Sequence, residues 1–145
     1  MMRKFFFILL LFISTFAFSQ KFLLGKYMSE ETNTNCLIEL TLFEKNKKIW
    51  FRLKTDKRNI IGKAKISKDD GLYYVTLPIE YSEYEGDISK NSKTIDLPKS
   101  KPFGIQFMYD NKELLLQNSG NAMNYYVKLG ECEEKYVHLK KKGNI

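Results

Sequence analysis

Few side chains in this sequence could do covalent chemistry. There is one histidine, His138, and a Ser-His-Asp or Cys-His arrangement would have to use it. No nucleophile-elbow pattern surrounds it, and a single histidine falls short of the usual zinc ligand set. No glycine-rich phosphate loop is present. Glu80, Glu83, Glu85 and Asp87 form an acidic run, "IEYSEYEGD", in which the last three alternate and could share one strand face. Clustered carboxylates can hold calcium or cleave glycosides. The run has no calcium-loop spacing, and it also reads as a solvated strand end beside a turn at Gly86. The sequence calls for no metal and no cofactor, and the reading is of a protein that is not an enzyme.

Two stretches suit binding better than catalysis. The first is a polar knot between apolar runs: Asn118, Ser119, Gly120, Asn121, Met123 and Asn124, followed by Tyr125, Tyr126 and Lys128. Gly120 can take a positive φ, the asparagines tolerate one, and Asn side chains bond local backbone, so the knot reads either as a self-satisfied turn or as a rigid lip. Donors and acceptors beside tyrosine and methionine suit protein or sugar recognition. The second stretch is basic. Lys47, Lys48, Arg52, Lys54, Arg58, Lys63 and Lys65 lie close in sequence around Trp50, with Lys45, Lys57 and Lys68 beside them and only Asp56 opposed. Such charge either steers an anionic partner or solvates the outer face of a lysine-rich protein.

The elements carrying these groups are strands. Hydrophobicity alternates with period two: Ile38, Leu40 and Leu42; Ile49, Phe51 and Leu53; Ile60, Gly62, Ala64 and Ile66; Tyr73, Val75 and Leu77; Ile105, Phe107 and Tyr109. "NYYVKLG" and "EKYVHLK" close the series. "EKNKK", "KDDG" and "YDNKE" have hairpin-turn composition, and Pro78 marks an edge or a bulge. Residues 89–104 read as a long loop with one short strand around Ile95. No helical stripe competes. The expected fold is all-β: a single antiparallel meander of about eight strands forming a small, lipocalin-like barrel, whose closure removes exposed edges.

Residues 1–19 read as a cleaved signal peptide: Arg3 and Lys4, the apolar run "FFFILLLFISTFAF", then Ala17 and Ser19 at the small cleavage positions. Residues 20–145 then form one domain, exported to the periplasm or the cell exterior, monomeric and without a membrane span. The whole chain carries 24 basic against 17 acidic residues; loss of Arg3 and Lys4 leaves a net charge of +5. Only three of the basic residues are arginine. Arginine does most bidentate phosphate and base reading, and an exported protein rarely meets nucleic acid, so no nucleic-acid partner is expected. In an oxidising compartment Cys36 and Cys132 are expected to pair, which makes the two ends of the domain neighbours.

Three resemblances follow from particular residues. "LLGKY", Leu23 to Tyr27, resembles the Gly-x-aromatic start of lipocalin-like domains, which implies a barrel around an apolar ligand. Ser119-Gly120 followed by Tyr125 and Lys128 resembles the Ser-Gly-x-x-Tyr and lysine pattern of periplasmic C-type lysozyme inhibitors, with the tyrosine placed later. That resemblance implies an inhibitory serine at Ser119 and its lysine at Lys128. "GNAMNYY" with Cys132 and Lys135-Tyr136 resembles small secreted proteins of Bacteroidetes-type bacteria that carry no known activity. The leading expectation is an exported inhibitor or immunity-like protein that grips a protein or polysaccharide through residues 118–126. The alternative is a carrier of a small apolar ligand inside the barrel; an enzyme using the acidic run is the third reading.

Overall fold

The computed structural model describes residues 20–30, 36–85, 104–122 and 124–143. The signal-peptide reading of 1–19, the strand near Ile95, Asp87 and Met123 lie outside them, as do the side chains of Glu83, Glu85 and Asn124. Eleven strands are present among these residues: β1 Gly25–Met28, β2 Glu39–Lys45, β3 Lys48–Lys54, β4 Asn59–Lys63, β5 Lys65–Asp69, β6 Leu72–Leu77, β7 Ser82–Glu85, β8 Ile105–Asp110, β9 Glu113–Gln117, β10 Asn124–Val127 and β11 Tyr136–Gly143. Nine form one antiparallel sheet in the order β4-β3-β2-β1-β11-β9-β8-β6-β5.

That order is almost a closed barrel, because the two outer strands are consecutive in sequence. β4 pairs with β3, the chain bends at Ala64, whose N–H still donates to Ile49 O at 3.0 Å, and β5 then pairs with β6. The expected antiparallel meander is present: each barrel strand pairs with the next barrel strand along the chain, and β4 and β5, separated by Ala64 alone, run as one bent path, which makes about eight. β11 inserts between β1 and β9, so the last strand closes on the first. β7 and β10 leave the barrel and pair with each other. Pro78, which has no N–H to donate, ends β6. The chain re-enters at Gly104, φ +75°, where an added Cβ would lie 2.2 Å from Leu77 O, so only glycine fits.

Alternation fills the inside. Leu40, Leu42, Phe51, Leu53, Val75, Leu77, Ile105, Phe107, Leu114 and Leu139 are almost wholly buried, as the period of two requires. Phe51 lies over Gly62, its strand partner, which leaves no room for a larger residue there. The hairpin turns hold left-handed pairs at Asn46–Lys47, Asp70–Gly71 and Asn111–Lys112, the twist that two-residue hairpins favour. A short 3₁₀ turn, Lys21–Leu23, covers one end of the barrel. Phe22 packs edge-on to Tyr73 at 4.9 Å and against Tyr109 at 5.3 Å, and the Tyr27 hydroxyl donates to Leu23 O at 2.7 Å. Burial pushes the Tyr27 hydroxyl well above the ordinary range.

Candidate functional site

The other end of the barrel is covered by residues 128–135, and the polar knot is partly an anchor for them. Asn118 is buried. Its side-chain amide donates to the carbonyls of Leu129, Cys132 and Glu134 at 3.2, 2.8 and 3.1 Å, and its Oδ1 accepts the Leu129 N–H at 2.7 Å. Asn118 is therefore removed from the contact lip expected from the sequence: its polar atoms are spent inside the protein. The disulfide Cys36–Cys132 ties the same segment to the β1–β2 connection, with both cysteines buried.

Glu131 is the third tie. Its carboxylate accepts from Arg58 at 2.6 Å and from the Thr55 hydroxyl at 2.9 Å. Burial alone would raise the Glu131 carboxyl, but hydrogen bonds from its own backbone N–H, Arg58 and Thr55, with the guanidinium charge, outweigh it and hold the group below the usual range. Arg58 is thus half-buried and paired with a buried carboxylate from a distant part of the chain, rather than part of an open basic face. Because the folded carboxyl is depressed, the pair's stabilisation is present above the unfolded carboxyl value and is lost as pH falls through the folded one. Glu131→Gln should therefore lower the melting temperature clearly at pH 7, and the gap should narrow toward about pH 3. Thermal melts of both proteins at both values check this; a gap independent of pH would remove the carboxylate from the account.

The next residues of the knot are more open: Ser119 and Gly120 are half-buried, and Asn121 and Ala122 are exposed. Ser119 bridges Val127, and the Gly120 N–H donates to Tyr126 O at 3.0 Å, so residues 118–128 make an irregular hairpin with exposed Asn121 near its tip. The Asn124 backbone pairs with Glu85. Tyr125 and Tyr126 are half-buried on β10. Lys128 sets its ammonium 5.0 Å from the Tyr126 ring and 5.7 Å from Tyr81, whose rings are 6.2 Å apart.

Lys128 and Tyr81 stand against the outer face of the sheet, where strand register builds two rows. Lys65 faces Thr76, which faces Gln106, and Tyr136 pairs with Gln117 farther along the same face. Beside them Ser67, Tyr74, Met108, Leu115 and His138 form the second row, each facing the next. A cavity of about 650 Å³ occupies the Lys65 side, lined also by Lys63, Tyr81 and Lys128. A second of about 480 Å³ occupies the Tyr136 and His138 side. Gln106 and Lys128 border both, so the two cavities adjoin in a line across the strands, hereafter the groove. Five strands at about 4.8 Å spacing give it a length of about 19 Å.

No family model, curated protein or solved structure matches this chain.

The remaining basic residues divide between two surfaces. Lys63 and Lys65 face the groove, and Lys63 also lies 5.6 Å from the Trp50 ring, with Lys45 at 5.5 Å. Lys47 sits in the β2–β3 turn, and Lys48, Arg52 and Lys54 are exposed on β3. His138 is exposed, with Nδ1 3.7 Å from Glu113. It borders a smaller cavity of about 360 Å³ with Glu30, Glu113 and Glu134 at the disulfide end. There the Lys140 hydrogen bond holds Glu30 below the usual carboxylate range. Among the described residues no three His, Cys, Asp or Glu converge as a metal site, and no helix is long and apolar enough to cross a membrane.

Sequence reasoning missed Thr76, Gln106, Tyr74, Met108 and Tyr136. Their signal was available only as the outward half of "GLYYVTL", "GIQFMYD" and "EKYVHLK", whose inward half defined the core.

Proposed function

We propose that this is an exported binding protein that recognises another macromolecule with its outer surface, using the groove across β5, β6, β8, β9 and β11 together with residues 119–128. One observation carries the reading: two adjoining cavities span about 19 Å on the outside of the barrel, while the inside is filled by Tyr27, Phe51, Phe107 and the aliphatic core. An elongated side-chain-lined groove suits a segment of a chain molecule. A carrier needs a few hundred cubic ångströms among inward-facing groups, where these residues pack. The buried Cys36–Cys132 bond supports export, because oxidising compartments maintain disulfides. The outward positions of β3 carry Arg52 and Lys54, the reverse of a lipid-facing barrel surface.

The test is capture on the immobilised protein from cell extract and culture medium, compared with Tyr125→Ala and Tyr136→Ala. Tyr136 is exposed, so its loss should leave the melt nearly unchanged. A macromolecule retained by the wild type and lost by either variant supports the reading. A co-purifying lipid or small molecule with no macromolecule, or capture indifferent to both variants, would overturn it.

A further inference from the structure

The groove is chemically uneven. At one end Lys63, Lys65 and Lys128 line the cavity, and no described carboxylate does. Between the ends stand neutral hydrogen-bonding groups: the Ser67 and Thr76 hydroxyls and the Gln106 amide, which donates to Thr76 Oγ1 at 3.4 Å. Toward the other end Tyr74 and Tyr136 supply rings with polar tips. Much of the main chain beneath is committed to the sheet: β6 is paired on both sides along its length, β11 pairs with β9 from Tyr136 to Lys140, and β8 pairs with β9 over Met108–Asp110. An extended peptide is usually taken by adding a strand to a free edge, where main-chain bonds give most of the affinity. This floor instead reads its ligand by side chains: ammonium groups for anions, hydroxyl and amide groups for hydroxyls, and tyrosine faces for the C–H faces of rings.

From this we infer that the groove binds an acidic polysaccharide, with its carboxylate or sulfate groups at the Lys63–Lys65 end and its sugar rings along Thr76, Gln106 and Tyr136. The inference rests on the reading of the groove as a macromolecule-binding surface and names its partner class. Charge complementarity selects an acidic chain over a neutral one, and the row of hydroxyl, amide and tyrosine side chains along the groove favours a sugar over a peptide.

Isothermal titration with four probes tests it: an oligogalacturonate, a heparin-derived hexasaccharide, the neutral maltohexaose, and poly-glutamate of similar length. At least one of the two acidic sugars should bind, and maltohexaose should not. Lys63→Gln with Lys65→Gln should weaken that binding about tenfold or more, whereas Lys47→Gln with Lys54→Gln removes equal charge from another surface and should change it by less than about threefold. An equal loss in both pairs would overturn the location. Poly-glutamate binding as tightly as the sugar would overturn the partner class. Failure of both acidic sugars would overturn the inference, and a captured macromolecule lost on Tyr136→Ala would then leave the binding reading standing with a different partner.

Discussion

Asn118→Ala should destabilise the protein by about 3–4 kcal/mol, a large share of the 5–15 kcal/mol typical of a domain. The two N–H groups of the side-chain amide are shared among three interior carbonyls, and Oδ1 accepts one further bond. Alanine leaves the Leu129 N–H and three carbonyls without that partner, and each buried group left unmade costs about 1–3 kcal/mol before water or relaxation recovers part of it. Asn118→Asp separates shape from chemistry. It keeps the volume and the acceptor, but a carboxylate would face the carbonyls of Leu129, Cys132 and Glu134. It should be at least as damaging as alanine at pH 7. The folded-state carboxyl of that variant would be raised, since its neutral form can donate one hydrogen bond; its deficit should therefore shrink as pH falls toward about 4. Denaturant melts of both variants at both values are the measurement. If either variant stayed within about 0.5 kcal/mol of wild type at pH 7, residues 128–135 would be held by something else.

What the sequence made legible follows the range of the interaction. Alternation is local, so Leu40 and Leu42, Phe51 and Leu53, Val75 and Leu77 announced their inward face two residues at a time, and each is buried. The turns are local too: "EKNKK", "KDDG" and "YDNKE" each hold a left-handed pair. Strand order is not local. Nothing in "GKYM" or "YVHLK" says that β1 and β11 are neighbours, and the cysteines alone pointed that way. β10 reads as a strand by composition, and its departure from the barrel is set by its pairing with β7, about 40 residues earlier. Arg58 reads as part of a basic run because charge runs are read from near neighbours, whereas Glu131 holds it. Asn118 was half legible. Its type predicts backbone bonding, but the three carbonyls it serves belong to a segment placed by Cys132 and Glu131. The groove was illegible for the same reason. Lys65, Thr76 and Gln106 are scattered in the chain, and only register across three strands aligns them.

Removing the Cys36–Cys132 bond should cost more than any other single change considered. The cysteines are 96 residues apart, and in the chain-entropy model a loop of that length contributes about 4–5 kcal/mol by restricting the unfolded chain. For a domain of this size that is a fall in melting temperature of roughly 10 °C or more. Reductant alone is a weak test, because both cysteines are buried and a reagent reaches them through opening of the structure. The decisive comparison is Cys36→Ala with Cys132→Ala against the oxidised protein, by denaturant melts. Loss of the cross-link should leave the folded barrel intact, since β1 and β11 remain paired and Asn118 and Glu131 still grip the 128–135 segment. The penalty should then appear as a lower midpoint with native-like spectra. Combining the double variant with Asn118→Ala should produce a loss different from the sum of the separate losses, because both ties act on one segment. Strict additivity would mean that the disulfide and the asparagine stabilise different things. Non-additivity would place the stability of this end of the barrel in one cooperative latch, completed by oxidation.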